Sequence, residues 1–390
     1  MSERKSGKIC FVIQRYGLEV NGGAELHCRQ LAEHMLAYYD NIEVLTTKAL
    51  DYLSWADHYR EDEEDINGIH VRRFSVERER DLKVFGPLNR RFETKGLPET
   101  GEEEWLIEQG PYAPAIPAYI REHRDEYEAF IFFTYLYYTT VEGIKAAGNK
   151  AVLIPTAHEE PAIHMHIYDG VFNTPKGILY NTAVEMAMVN KLFHNEKVRS
   201  YTGGVGVELP DVVSAERFWE KYGDEPFMLY VGRLDEAKGG IELLRYFAEY
   251  KRRNPSKLRL RLMGKSAVKL PDDPDIIPMG FVSDEDKFDG MAAASIVIMP
   301  SPRESLSMVV LEGMKCGAPV LVNGNCDVLK DHCIRSNGAL YYQNYFEFEG
   351  CVNYLLGHEE EKKLMSANAK KYVEENYRWD IICERLCELI

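Results

Sequence analysis

The chain has 390 residues, 47 of them Lys or Arg and 63 Asp or Glu, for a formal net charge of -16. That length predicts two or three domains with ample cores. So acidic a balance argues against nucleic acid as the main partner, because binding it needs dense Lys and Arg.

In chain order, residues 1–7 are polar and basic, and the apolar run at 8–13 is too short for the core of a signal peptide. That run predicts a strand, followed by a loop over 14–21, then Gly22-Gly23 and a helix with Leu26, Leu31, Ala32 and Met35 on one face. Glu25 reads as an acid in the first turn of that helix. Residues 42–45 and 69–74 predict two more strands, with a polar, acidic segment at 51–67 between them. Residues 77–110 carry Pro and Gly and predict a long irregular excursion. The chain is locally basic at Arg72, Arg73, Arg78, Arg80, Lys83, Arg90, Arg91 and Lys95. Interleaved acids make a solvated face the expectation there, with a membrane-surface or anion-binding patch as the sharper alternative. Residues 129–133 and 151–154 are again strand-like, and strands alternating with helices predict a parallel, doubly wound sheet.

The pattern then restarts. Residues 227–231 predict a strand, Gly232 to Gly240 a loop (GRLDEAKGG), and 241–251 a helix; strands follow at 258–263, 276–277 and 296–299. Both halves share one plan of strand, loop, Gly-Gly and acid-bearing helix. The expected fold class is α/β, with two Rossmann-like domains facing a cleft. They span 1–205 and 206–376, with Pro210 in the linker.

Residues 300–322 read as loop, helix, turn and buried strand. Ser301-Pro302-Arg303 resists helix, because the residue before a proline is pushed towards extended geometry. Leu306, Val309, Val310 and Met314 recur at three and four, which predicts a helix from Glu304 to a stop at Gly317. On such a helix Glu304 and Glu312 would lie within roughly 80° of each other and roughly 12 Å apart along the axis. The N–H groups of Leu306, Ser307 and Met308 would sit between them as an anion site. In the second-half loop, Arg233 and Lys238 stand five apart between glycines and can converge on one diphosphate, Arg as a fork and Lys as a point charge.

Glu304 and Glu312, with seven residues between, resemble the E-x7-E motif of retaining glycosyltransferases of the family-4 type, which have the GT-B fold. Gly232-Arg233-x4-Lys238 is similar to that family's G-R-x4-K loop. The family usually has Gly where Ser307 stands and Ala where Gly313 stands; Ser is still small enough for a phosphate to approach. The resemblance implies a nucleotide-sugar donor on the second domain, a UDP-sugar ahead of a GDP-sugar. It implies a glycan, lipid-linked or small-molecule acceptor on the first domain, and transfer with retention in surface polysaccharide or glycoconjugate synthesis. By the same resemblance Arg233 and Lys238 hold the donor phosphates with the amides of Leu306, Ser307 and Met308. Glu304 lies against the donor sugar, Glu312 binds the ribose, and Phe281-Val282 occupy the place where the base is contacted. Gly22-Gly23 resemble the family's N-terminal glycine loop, and a last helix at about 377–390 resembles the segment that crosses back to the first domain.

His158 follows the strand at 151–154, where a His can hydrogen-bond a sugar hydroxyl; a structural loop His is the plainer alternative. His164 and His166 form H-x-H, but the family generally works without a bound metal, so no metal and no cofactor beyond the nucleotide sugar is expected. The acidic pairs Asp273/Asp275 and Asp284/Asp286 read as a solvated turn and a helix cap at Ser283. Eight cysteines without a C-x-x-C pair predict reduced thiols and a cytoplasmic protein, with Cys326 and Cys333 as buried thiols beside a surface His332. Nothing approaches the about 20 apolar residues of a membrane span, so any lipid contact is peripheral, at the inner membrane face. A nucleotide-sugar epimerase of the same fold and a non-catalytic nucleotide-sugar-binding subunit remain as alternatives.

Overall fold

A computed structural model describes residues 4–20 and 22–390. The expectations for residues 1–3, and for Asn21 at the end of the first loop, lie outside the described residues. The chain divides into two compact units. One runs to Val205 and takes back Trp379–Ile390; the other is Gly206–Arg378.

The first unit is built on strands β1 (Lys5–Val12), β2 (Tyr39–Thr47), β3 (Glu63–Ile66), β4 (Ile69–Phe74), β5 (Ala129–Phe133), β6 (Ala151–Ile154), β7 (Gly177–Tyr180) and β8 (Arg199–Thr202). They form one sheet in the order β3-β4-β2-β1-β5-β6-β7-β8. All pairings are parallel except β3 with β4, an edge hairpin that the polar segment at 51–67 concealed. Its turn is Asn67-Gly68, both at positive φ, as a tight hairpin turn requires. The central strand β5, AFIFF, is buried at all five positions because helices cover both faces.

The irregular excursion expected over 77–110 is instead two helices, Leu82–Lys95 and Glu99–Gln109. Gly86 and Pro87 hid the first. Yet Asp81 caps it, and Phe85, Leu88 and Phe92 recur at three and four and pack on the core beside Trp105. The basic stretch is not one solvated face. Arg73 is buried and ion-pairs with Glu64, Arg72 meets Glu43 and Glu63, and Arg78 meets Glu108. The last helix, Trp379–Leu389, joins this unit: Trp379 stacks on His34 at 4.5 Å, and Lys176 Nζ donates to the Ile390 carbonyl at 2.5 Å.

The second unit has six parallel strands: β9 (Phe227–Val231), β10 (Arg259–Met263), β11 (Ile276–Gly280), β12 (Ile296–Met299), β13 (Val320–Asn323) and β14 (Ala339–Tyr342). Their order is β11-β10-β9-β12-β13-β14, the doubly wound arrangement. In such a sheet the chain leaves in opposite directions on either side of the central pair. Here β9 pairs with β12, and in such folds ligands bind at the carboxyl ends of that central pair.

Candidate active site in the C-terminal unit

The loops after β9 and β12 meet. Gly239 has φ +74, and a Cβ there would lie 2.3 Å from the Pro300 carbonyl oxygen, so only a glycine lets the two backbones approach this closely. Next to that contact, Lys238 Nζ lies 2.8 Å from Glu304 Oε1. Arg233 Nε donates to Asp235 Oδ2 at 2.6 Å, and Asp235 Oδ1 accepts the Lys238 N–H at 2.8 Å. One carboxylate thus fixes both ends of the G-R-x4-K loop, and the structure brings two distant motifs into one place. The Arg233 and Lys238 side chains are 50% and 42% exposed. Ion pairs this wet are weak and can exchange an internal acid for an incoming anion.

The helix after β12 begins at Met308, not at Glu304. Ser307 stops it at φ 66, ψ 83, so Glu304 belongs to the loop and does not share a helical face with Glu312. The four-residue spacing of Leu306 and Val310 concealed this break, because both are buried with or without the extra turn. The loop has an unusual division of labour. Its carbonyls are taken by side chains: Asn323 Nδ2 donates to Pro300, Ser301 Oγ to Arg303 and Cys326 Sγ to Glu304. Among the described residues, the N–H groups of Leu306, Ser307 and Met308 find no backbone acceptor. Ser307 Oγ is also buried without a partner. Unpaired donors at a helix start, where the partial charge is positive, form a site for an anion.

Glu312 is buried on that helix, and its Oε1 takes Lys287 Nζ at 2.9 Å. Burial raises the Glu312 carboxyl above its ordinary value, with Lys287 opposing. Phe281, directly after β11, is 76% exposed, and Val282 is half-buried. Ser283 caps the next helix through the Asp286 N–H, and Asp273 accepts the Asp275 N–H, so neither acidic pair is arranged for a metal. His332 is not a surface residue; it is fully buried, with its nitrogens on Leu306 and Tyr372. Cys333 bonds Leu340, away from Cys326, and all eight cysteines are free.

In the N-terminal unit, Gly22 and Gly23 open the helix Gly23–Met35, with Gly22 at its cap. Glu25, expected as an ordinary first-turn acid, is 7% exposed and receives Gln14 Nε2 at 3.1 Å and Arg15 Nε at 3.0 Å. His158 lies past β6, one-third exposed, 3.6 Å from Glu160. His164 and His166 turn to different acids, Glu159 and Glu102. Among the described residues no group of His, Cys, Asp or Glu could hold a metal ion. None of the sequence patterns pointed to Glu185. It is fully buried, and its two oxygens accept the N–H groups of Ala157 and Asn181, fixing the backbone beside His158. Burial pushes its carboxyl up to about 8, against the pull of those N–H groups. Asp235, Lys287 and His332 were likewise missed as site-building residues; only Asp235, inside the G-R-x4-K loop, left a sequence signal.

Residues 214–372 match the family model for glycosyl transferases group 1. An uncharacterized glycosyltransferase of Methanocaldococcus jannaschii is 27% identical over 228 residues, covering 55% of this chain and 54% of that protein. The phosphatidyl-myo-inositol mannosyltransferase of Propionibacterium freudenreichii subsp. shermanii is 29% identical over 38% of this chain and 40% of its own. The chain thus spans about half or less of the curated relatives it matches. Among solved structures, sucrose-phosphate synthase of Thermosynechococcus elongatus superposes with a TM-score of 0.72 at 16% identity over 98% of both chains. HepE of Anabaena, solved with UDP and glucose, gives 0.70 at 16% identity, again over 98% of both. The fold is that of GT-B glycosyltransferases, two parallel-sheet Rossmann-like domains, and the family match supports a glycosyltransferase. Among the described residues no helix is long and apolar enough to cross a membrane.

Proposed function

We propose that the protein is a retaining glycosyltransferase that moves a sugar from a nucleotide-sugar donor, a UDP-sugar ahead of a GDP-sugar, to an acceptor hydroxyl. The observation that carries this reading is the 2.8 Å pair between Lys238 and Glu304, which joins the cationic loop to the amide-rich loop within one unit. An entering diphosphate takes Lys238 and Arg233 from their acids and meets the amides of Leu306, Ser307 and Met308. Glu304, released, faces the donor sugar. Glu312, anchored by Lys287, presents Oε2 to the ribose, and exposed Phe281 with Val282 meets the base. In the reaction the bond from the anomeric carbon to the phosphate oxygen breaks and the acceptor oxygen bonds to that carbon on the same face. The hydroxyl proton passes to the departing phosphate. Arg233 and Lys238 stabilise the charge that grows there, so no metal is required.

The acceptor is assigned to the N-terminal unit, where His158 takes a sugar hydroxyl and Gly23, with open space where a Cβ would stand, leaves room for phosphate. We assign the protein to the cytoplasm, in polysaccharide or glycoconjugate synthesis. Peripheral contact with the inner membrane face belongs to the helix Leu82–Lys95, where exposed Leu82 and Val84 flank Lys83.

The test is incubation with a panel of UDP- and GDP-sugars, with and without pooled glycan and lipid-linked acceptors, reading free nucleoside diphosphate and glycosylated product. Acceptor-dependent release with an unchanged anomeric configuration is expected. Conversion of the nucleotide sugar without acceptor would point to an epimerase, and tight binding without turnover to a binding subunit; either result overturns the proposal.

A further inference from the structure

His332 lies on the helix Asp327–Ser336 and exposes none of its surface. Its Nε2 is 2.8 Å from the Leu306 carbonyl oxygen and its Nδ1 is 3.0 Å from the Tyr372 hydroxyl. A carbonyl can only accept, so Nε2 carries the proton. Burial pushes the imidazole down to about 4, so the ring is neutral and Nδ1 must accept the Tyr372 O–H. The Tyr372 oxygen lies 3.1 Å from the Tyr377 hydroxyl, which donates to it. Two buried tyrosines thus fix one tautomer, and that tautomer fixes one carbonyl.

The consequence is felt at the next residue. The Leu306–Ser307 peptide is trans, and in a trans peptide the C=O and the following N–H point in opposite directions. Holding the Leu306 oxygen towards His332 therefore turns the Ser307 N–H away from the core. Ser307 sits at φ 66 without being glycine, a conformation that persists only where its surroundings hold it. Its buried Oγ has no partner, which marks the same spot as prepared for a group the chain does not supply.

We infer that His332 is a positioning residue of the donor loop: through the Leu306 carbonyl it aims the Ser307 N–H, and the start of the helix behind it, at the donor phosphates. Tyr372 and Tyr377 act through His332. The inference rests on the donor-site reading above and adds to it the device that keeps the amides turned outward before ligand arrives.

The test compares wild type with His332→Gln, His332→Leu and Tyr372→Phe. Gln places an amide N–H near the former Nε2, Leu removes the donor, and Tyr372→Phe leaves His332 in place but loosens its tautomer. Calorimetric titration measures UDP and GDP against uridine and guanosine, with melting temperature recorded separately. Loss of one aligned phosphate contact is expected to weaken nucleotide affinity by about tenfold in His332→Leu, less in Tyr372→Phe, with nucleoside affinity unchanged. His332→Gln recovers most of the loss. Nucleotide affinity at the wild-type level in folded His332→Leu or Tyr372→Phe overturns the inference. So does an equal loss of nucleotide and nucleoside, which is what a merely structural histidine would give. Should His332→Leu fail to fold, the Gln and Phe variants decide by the same two readouts. Wild-type protein that binds neither nucleotide sinks the donor-site reading itself, and the purpose assigned to His332 with it.

Discussion

The two units place charge differently at the same point of their sheets. In each, two central parallel strands, β1 with β5 and β9 with β12, send loops out side by side. In the N-terminal unit the polar groups there are buried and bonded to one another. Gln14 bonds Thr134 at 3.1 Å, and Arg15 and Glu25 pair at 7% and 8% side-chain exposure. In the C-terminal unit the cations stay half exposed, Arg233 paired with Asp235 of its own loop and Lys238 with Glu304 of the neighbouring loop. The first arrangement makes a rigid rim; the second leaves charge free to change partner. A fold repeated twice can therefore carry scaffolding in one copy and ligand chemistry in the other.

The largest effect that would break this comparison is on stability in the first unit. Glu25→Ala leaves Arg15 buried without its carboxylate and should cost about 3–5 kcal/mol, read as a shifted denaturation midpoint. A loss below about 1 kcal/mol, as for an exposed pair, would erase the contrast. The same scale of change in the second unit should appear in rate instead. Arg233→Ala or Lys238→Ala should lower turnover about a hundredfold or more while the melting temperature stays close to wild type, since both side chains are half exposed. Near-normal turnover in both variants contradicts their assignment.

Gly239→Ala sharpens the contrast further, because it strikes a close backbone approach between the two donor loops. With φ +74 and a Cβ 2.3 Å from the Pro300 oxygen, it should cost about 1–3 kcal/mol and weaken nucleotide binding as well. The last effect, read as a dependence on pH, concerns Glu185. Its folded value is raised from 4.5 to about 8, so its contribution to stability is full below pH 4.5 and is lost as pH rises towards 8. Glu185→Gln should flatten that decline in a stability-versus-pH series; an unchanged slope would show that the carboxyl titrates normally.

What could be foreseen from the residues follows the same division. Hydrophobic runs such as 129–133 and 227–231 announced buried parallel strands because both faces are covered, and G-R-x4-K announced itself because its chemistry stands at short range in one loop. The helix start at Met308 escaped, because apolar spacing reports which side chains face the core and says nothing of the φ at Ser307. The helix Leu82–Lys95 escaped because Gly86-Pro87 outweighed its apolar stripe, and the edge strand Glu63–Ile66 because it is exposed and acidic. Glu185 and His332 each act through a backbone group far along the chain, and no local pattern records such a partnership.

The central claim is that nucleoside diphosphate binds between the loops after β9 and β12. Amide hydrogen exchange, with and without saturating UDP or GDP, locates it most directly. The account predicts that protection gained on binding concentrates in residues 232–239 and 304–308. Protection confined to other segments, with exchange in those two loops unchanged, would contradict it.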